Sequence, residues 1–155
     1  MVDDGLWIRS RWYVGVDLGQ SHDPTAVCIL DERYAEIPPA VCITRVPELK
    51  RKLKAYQTPL IVRHLERLPL GTPYPDQVDY ILDLVNRPQL QEPKTFIDYT
   101  GVGRPVFDLF RQARLPRLHG IAITAGNEIT RKEAGTILGV PKQILMSKLQ
   151  AQLHT

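Results

Sequence analysis

Trp12-Tyr13-Val14-Gly15-Val16-Asp17-Leu18-Gly19-Gln20-Ser21-His22-Asp23-Pro24-Thr25-Ala26-Val27-Cys28-Ile29-Leu30 reads as two strands and the turn between them. The first run is rich in β-branched and aromatic residues, and Gly19 to Asp23 have the side chains that close strands. A short polar loop between two apolar runs predicts an antiparallel hairpin. The residues before it, 1–11, are read as an N-terminal extension, and 12–155 as one domain.

Beyond the hairpin, Ala40 to Val46 and Leu60 to Leu68 both have β character. The later run is preferred as strand three because it leads directly into a helix. Ala40 to Val46 is then an inserted excursion, and Pro47 to Gln57 the nearest thing to a linker. Val78, Ile81, Leu82 and Val85 have helical spacing behind Asp76 and predict a helix from Pro75 to about Asn86. Thr95-Phe96-Ile97-Asp98 is a short strand, and Val106, Leu109, Phe110 and Ala113 form a second amphipathic stripe. Leu118 to Thr124 is a fifth strand. Gly126 to Val140 reads as irregular or hairpin, and a last helix starts at Pro141, where proline suits the first helical position. The order β-β-β-α-β-α-β-α, antiparallel at first and continued by parallel crossovers, makes the fold class α/β with a mixed sheet.

Bulk properties restrict the functions. Of 155 residues, 43% are hydrophobic and 24% charged, as in an ordinary globular domain able to bury one core without staples. Cys28 and Cys42 lack zinc-site spacing and read as free thiols in apolar runs. No apolar run approaches the ~18 residues of a membrane span, and the start of the chain lacks a basic-then-apolar leader, so the expected location is the cytoplasm. The net charge of +3 permits nucleic-acid contact without requiring it.

Two aspartates stand where chemistry is expected. Asp17 ends an otherwise apolar strand, and Asp98 ends another, before Tyr99-Thr100-Gly101-Val102-Gly103. In an open α/β sheet, ligands gather at the carboxyl ends of strands, so neighbouring strands can bring both carboxylates to one point. Crowded carboxylates repel unless a cation lies between them, and hard oxygen ligands favour magnesium or manganese. Such ions, acting in pairs, activate water and stabilise a leaving oxygen in phosphodiester cleavage. The plainer alternatives are that Asp17 caps its turn and Asp98 caps the following helix. Asp23 and His22 are secondary candidates beside Asp17. His64, His119 and His154 have no ligand spacing. Lys50, Arg51, Lys52 and Lys54 form the main basic cluster and Arg131 with Lys132 a smaller one, both candidates for phosphate-backbone contact.

With these residues in view, the chain resembles the nuclease domain of the large terminase subunit of tailed bacteriophages, prophage copies included. The likeness rests on Tyr13 to Ala26, on Phe96-Ile97-Asp98-Tyr99-Thr100-Gly101-Val102-Gly103-Arg104-Pro105, and on Val140-Pro141-Lys142. It implies a ribonuclease-H-like fold and metal-dependent endonuclease cleavage of double-stranded DNA during genome packaging. Asp17 and Asp98 would be metal ligands in a two-metal Mg2+ or Mn2+ site. Terminase or portal components would be partners, with no membrane, in a bacterial host's cytoplasm. Two departures stand out. There is no Walker sequence, and no third carboxylate lies on a late helix, since the last acidic residues are Glu128 and Glu133. The expectation is a domain lacking its C-terminal part, with weak metal binding and cleavage absent although the fold is kept. The competing readings are a catalytically idle DNA-binding or scaffold domain, and an actin-like or sugar-kinase-like ATPase fragment, which Asp17-Leu18-Gly19 with Ser21 also resembles.

Overall fold

The computed structural model describes residues 2–3, 5–39, 43–100 and 103–153. Among the described residues, eight strands form one mixed sheet: β1 (Val2–Asp3), β2 (Leu6–Asp17), β3 (Ala26–Glu36), β4 (Leu60–Arg67), β5 (Lys94–Asp98), β6 (Leu118–Thr124), β7 (Thr130–Lys132) and β8 (Ile137–Pro141). Four α-helices among the same residues accompany them: α1 (Val46–Ala55), α2 (Tyr74–Val85), α3 (Gly103–Gln112) and α4 (Lys142–Leu153). The spatial order is β4-β3-β2-β5-β6-β8-β7, with β1 paired to the start of β2. The pairs β2–β3 and β3–β4 are antiparallel, whereas β5, β6 and β8 continue parallel to β2. The fold class is therefore α/β with a mixed sheet.

Alternation along the strands builds the core. Val14, Val16, Val27, Ile29 and Ile97 point to one face and are buried against Ile81, Leu84 and Val85 of α2 and Val106, Phe107 and Phe110 of α3. The opposite face carries Cys28, Phe96, Ile121 and Ile123. Helix α4 reaches that face through Leu145; Ile144 is half-buried, and none of the helix's side chains is fully buried. No helix among the described residues is long and apolar enough to cross a membrane.

Several expectations need correction. The strand begins at Leu6 rather than Trp12, because Leu6 pairs with Asp3 of β1 and residues 7–11 pair with 32–36 of β3, so that they belong to the sheet rather than to an extension. The expected linker is helix α1: Pro47 sits in its first turn, Glu48 follows, Lys52 bridges Glu48 at 3.2 Å, and Leu49 is fully buried. Of the expected β run at 40–46, residues 43–45 are a 3-10 turn and Val46 starts α1; residues 40–42, with Cys42, lie outside the described residues. Strand three is the later run, as preferred. The irregular segment after Gly126 contains the β7–β8 hairpin, and β8 extends the sheet beyond β6. Pro141 closes β8, and the last helix starts at Lys142.

Candidate active-site cleft

The parallel register of β2 and β5 pairs Val16 with Ile97. The next residue on each strand is an aspartate, and Asp17 and Asp98 both line one open cleft of about 530 Å³. Its floor is apolar, formed by Cys28, Phe96, Ile121 and Ile123, so the carboxylates are the charged groups of the cleft. Cys28 is free and half-buried, and burial pushes its thiol up from the ordinary range.

Two glycines allow the loops after these strands to fold back. A Cβ on Gly19 would lie 2.1 Å from the carbonyl oxygen of Asp23, and one on Gly103 would lie 2.1 Å from that of Asp98. Neither position has room for a methyl group. The Gly19 turn brings Asp23 back towards Asp17. It is held from below by two side chains that are each 1% exposed, Thr25 and Gln77. The Thr25 hydroxyl accepts from the Gly19 N–H (2.9 Å) and donates to Gln77 Oε1 (2.7 Å). Gln77 Nε2 in turn donates to the carbonyls of Gly19 (2.9 Å) and Thr72 (2.8 Å). A fully satisfied buried polar network specifies one arrangement. Gly19→Ala is expected to cost about 1–3 kcal/mol through forced rearrangement of this turn, seen as a lowered thermal midpoint. An unchanged midpoint would mean that the turn is not held as described.

The electrostatics follow from this crowding. Asp17 opens to solvent at the cleft, so it is not the buried charge that its apolar strand suggests. Its carboxyl is nevertheless pushed above the ordinary carboxylate range, first by partial desolvation and then by repulsion from Asp98 and Asp23. Asp98 is half-buried, and its Oδ1 accepts from the Thr100 N–H (2.8 Å) and from the Thr100 hydroxyl. These bonds to the residue two positions on form a local turn and engage one of the two Asp98 oxygens; they are not bonds to N–H groups of α3, which starts at Gly103.

The donor chemistry fits a hard divalent cation. Magnesium is commonly held by one or two carboxylates, with waters and substrate phosphates completing the shell. Among the described residues, no group of three His, Cys, Asp or Glu side chains is gathered to hold a metal unaided. Of the secondary candidates, Asp23 acts on Asp17 through its charge, and His22 is an exposed side chain of the same loop.

The basic candidates do not join the cleft. Lys50, Arg51, Lys52 and Lys54 lie on α1, whose Leu49 packs near Gly5 at the start of β2. Asp17 ends that strand, about 35 Å away by strand rise. Arg131 and Lys132 are exposed on the edge strand β7, and Lys132 borders a separate small cavity with Tyr99 and Arg104. Sequence reading missed Gln77, since its partners Thr25 and Gly19 lie 52 and 58 residues away and no local pattern marks the contact. Comparison with family models, curated proteins and solved structures finds no match to this chain.

Proposed function

We propose that the cleft at the carboxyl ends of β2 and β5 holds magnesium or manganese between Asp17 and Asp98, and that the chain is a metal-dependent DNA endonuclease domain. In this reading the domain is ribonuclease-H-like and resembles the terminase nuclease of tailed phages, acting on double-stranded DNA in genome packaging. The observation that carries the proposal is two aspartates on adjacent parallel strands lining one cleft, where the charge of Asp98 raises the cost of ionising Asp17. The antiparallel opening of the sheet followed by parallel strands is the arrangement this reading calls for.

A bound divalent ion supplies charge neutralisation and an activated water. The chain's own residues supply position. Asp17 and Asp98 offer carboxylate oxygens, Thr100 fixes the Asp98 rotamer through its two hydrogen bonds, and the Thr25–Gln77 network holds the turn that carries Asp23. The apolar cleft floor limits water behind the carboxylates.

The test is nicking of supercoiled plasmid. Wild-type protein with manganese is expected to nick, and nicking should fall to the level seen with a chelator both in EDTA and in Asp98→Asn. Nicking that survives Asp98→Asn would overturn the assignment. The second reading, a catalytically idle domain of the same fold, is favoured by one observation: α4 presents Leu145 to the cleft and carries no acidic residue. Manganese binding without nicking would select it.

A further inference from the structure

The opposite end of β5 and β6 carries a second concave site of different chemistry. A cavity of about 600 Å³ is lined by Lys94, Arg111, Leu115, Arg117, His119 and Thr136, with no carboxylate in its lining. That volume is in the range of small-ligand pockets. Its cations come from three separate elements: Lys94 opens β5, Arg111 is in the last turn of α3, and Arg117 immediately precedes β6. Like charges from distant parts of the chain repel unless an anion joins them. Lys94 makes no ion pair among the described residues. Arg111 and Arg117 each pair with one rim carboxylate, Glu133 at 3.3 Å and Glu92 respectively; all four side chains are about half exposed or more. Exposed pairs of this kind contribute little and rearrange easily, and a guanidinium has five donors, most of which stay available.

The backbone around the rim is also specialised. Glu92, Arg114 and Arg117 have φ of 58°, 57° and 48°, the left-handed region that residues with a side chain seldom occupy. Such conformations persist where the surroundings over-determine them. At Arg117 the surroundings include the Thr95 N–H, which donates to the Arg117 carbonyl at 3.1 Å and fixes the residue beside Lys94. The His119 ring stacks on Phe96 with centroids 5.1 Å apart, and its Nδ1 is buried without a hydrogen-bond partner. Buried polar atoms are normally satisfied.

We infer that this pocket binds the phosphate group of a phosphorylated ligand, with Lys94, Arg111 and Arg117 as the charge clamp and Leu115 as an apolar wall for the ligand body. The site is separate from the carboxylate cleft, since Lys94 and Asp98 are opposite ends of one strand, about 13 Å apart by strand rise. It does not rest on the nuclease reading.

The test is calorimetric titration of tripolyphosphate, and separately of a short blunt DNA duplex, into the full chain. The variants are Lys94→Gln/Arg117→Gln, Arg111→Gln alone in case the double variant folds poorly, and Lys142→Gln/Lys148→Gln on α4, which removes the same charge as the double variant elsewhere. Saturable tripolyphosphate binding is expected in wild type and in the α4 variant, weakened about tenfold or more in the pocket variants, which remove charge-assisted contacts. If duplex binding falls in parallel and tripolyphosphate competes with it, the pocket takes a nucleic-acid phosphate. If duplex binding ignores the pocket variants, it takes a free phosphorylated compound. The absence of saturable tripolyphosphate binding, or equal weakening in the α4 variant, overturns the inference.

Discussion

Asp17→Asn is expected to abolish manganese binding while leaving the metal-free protein at least as stable as wild type at neutral pH. In wild type the Asp17 carboxyl is raised by partial desolvation and by Asp98 and Asp23. An acid whose folded-state pKa lies above its unfolded value contributes stability below the unfolded value, about pH 3.9, and loses it as pH rises through the folded value. At pH 7 the ionised Asp17 is therefore a burden on the metal-free fold. An amide of nearly the same shape removes that burden together with a ligand charge. The loss of metal affinity should exceed the roughly 10–100-fold typical of outer-shell partners. Calorimetry with manganese and thermal melts in chelator check both parts. Undiminished binding would remove Asp17 from the site. A large fall in the metal-free midpoint would make it a structural residue instead.

The largest expected loss of stability lies on the other side of β2. Asp31, on β3, is fully buried. Its Oδ2 accepts from Arg63 Nε (3.1 Å) and Nη2 (2.8 Å) and from Arg33 Nε (3.0 Å). Burial alone would raise the Asp31 pKa, but the hydrogen bonds of Arg63, Ser10 and Arg33 outweigh it and hold the carboxyl below the ordinary range. Removing one partner of a buried pair costs about 3–5 kcal/mol. Both arginines are partly exposed and can be rehydrated, so about 3 kcal/mol is the better figure for Asp31→Ala. For a chain of this size that is a fall of roughly 10 °C in the thermal midpoint. The sign with pH is opposite to that of Asp17. Stability from Asp31 is present above about pH 4 and lost as pH falls through its depressed pKa, so Asp31→Asn should flatten the acid limb of the stability profile. A midpoint within about 2 °C of wild type for Asp31→Ala would mean that the arginines find equivalent partners.

Arg63 reaches Asp31 because the β3–β4 register shifts between Ile29 and Leu30, where Ile29 pairs with His64 and Leu30 with Val62. An extra residue on one strand re-aims a side chain in this way. The run Leu60 to Arg67 alternates imperfectly as a sequence, and this bulge is the reason: Leu60, Val62 and Leu65 all follow their β3 partners onto the face away from the core.

Strand type, helix spacing and the two strand-end aspartates were legible in the amino-acid sequence because they depend on neighbours within a turn or a few residues. Leu118–Thr124 as a strand, the α2 stripe of Val78, Ile81 and Val85, and the Asp17 turn at Gly19 are of this kind. The sequence also placed both carboxylates at strand ends, from which their approach could be argued. Only the tertiary structure decided that β2 and β5 are adjacent in a register that aligns Asp17 with Asp98, that α1 carries its lysines to the far end of β2, and that Lys94, Arg111 and Arg117 converge. These facts depend on pairing between segments tens of residues apart. Burial of Leu49, Asp31 and Gln77 is likewise set by what packs over them, and local periodicity carries no record of a distant partner.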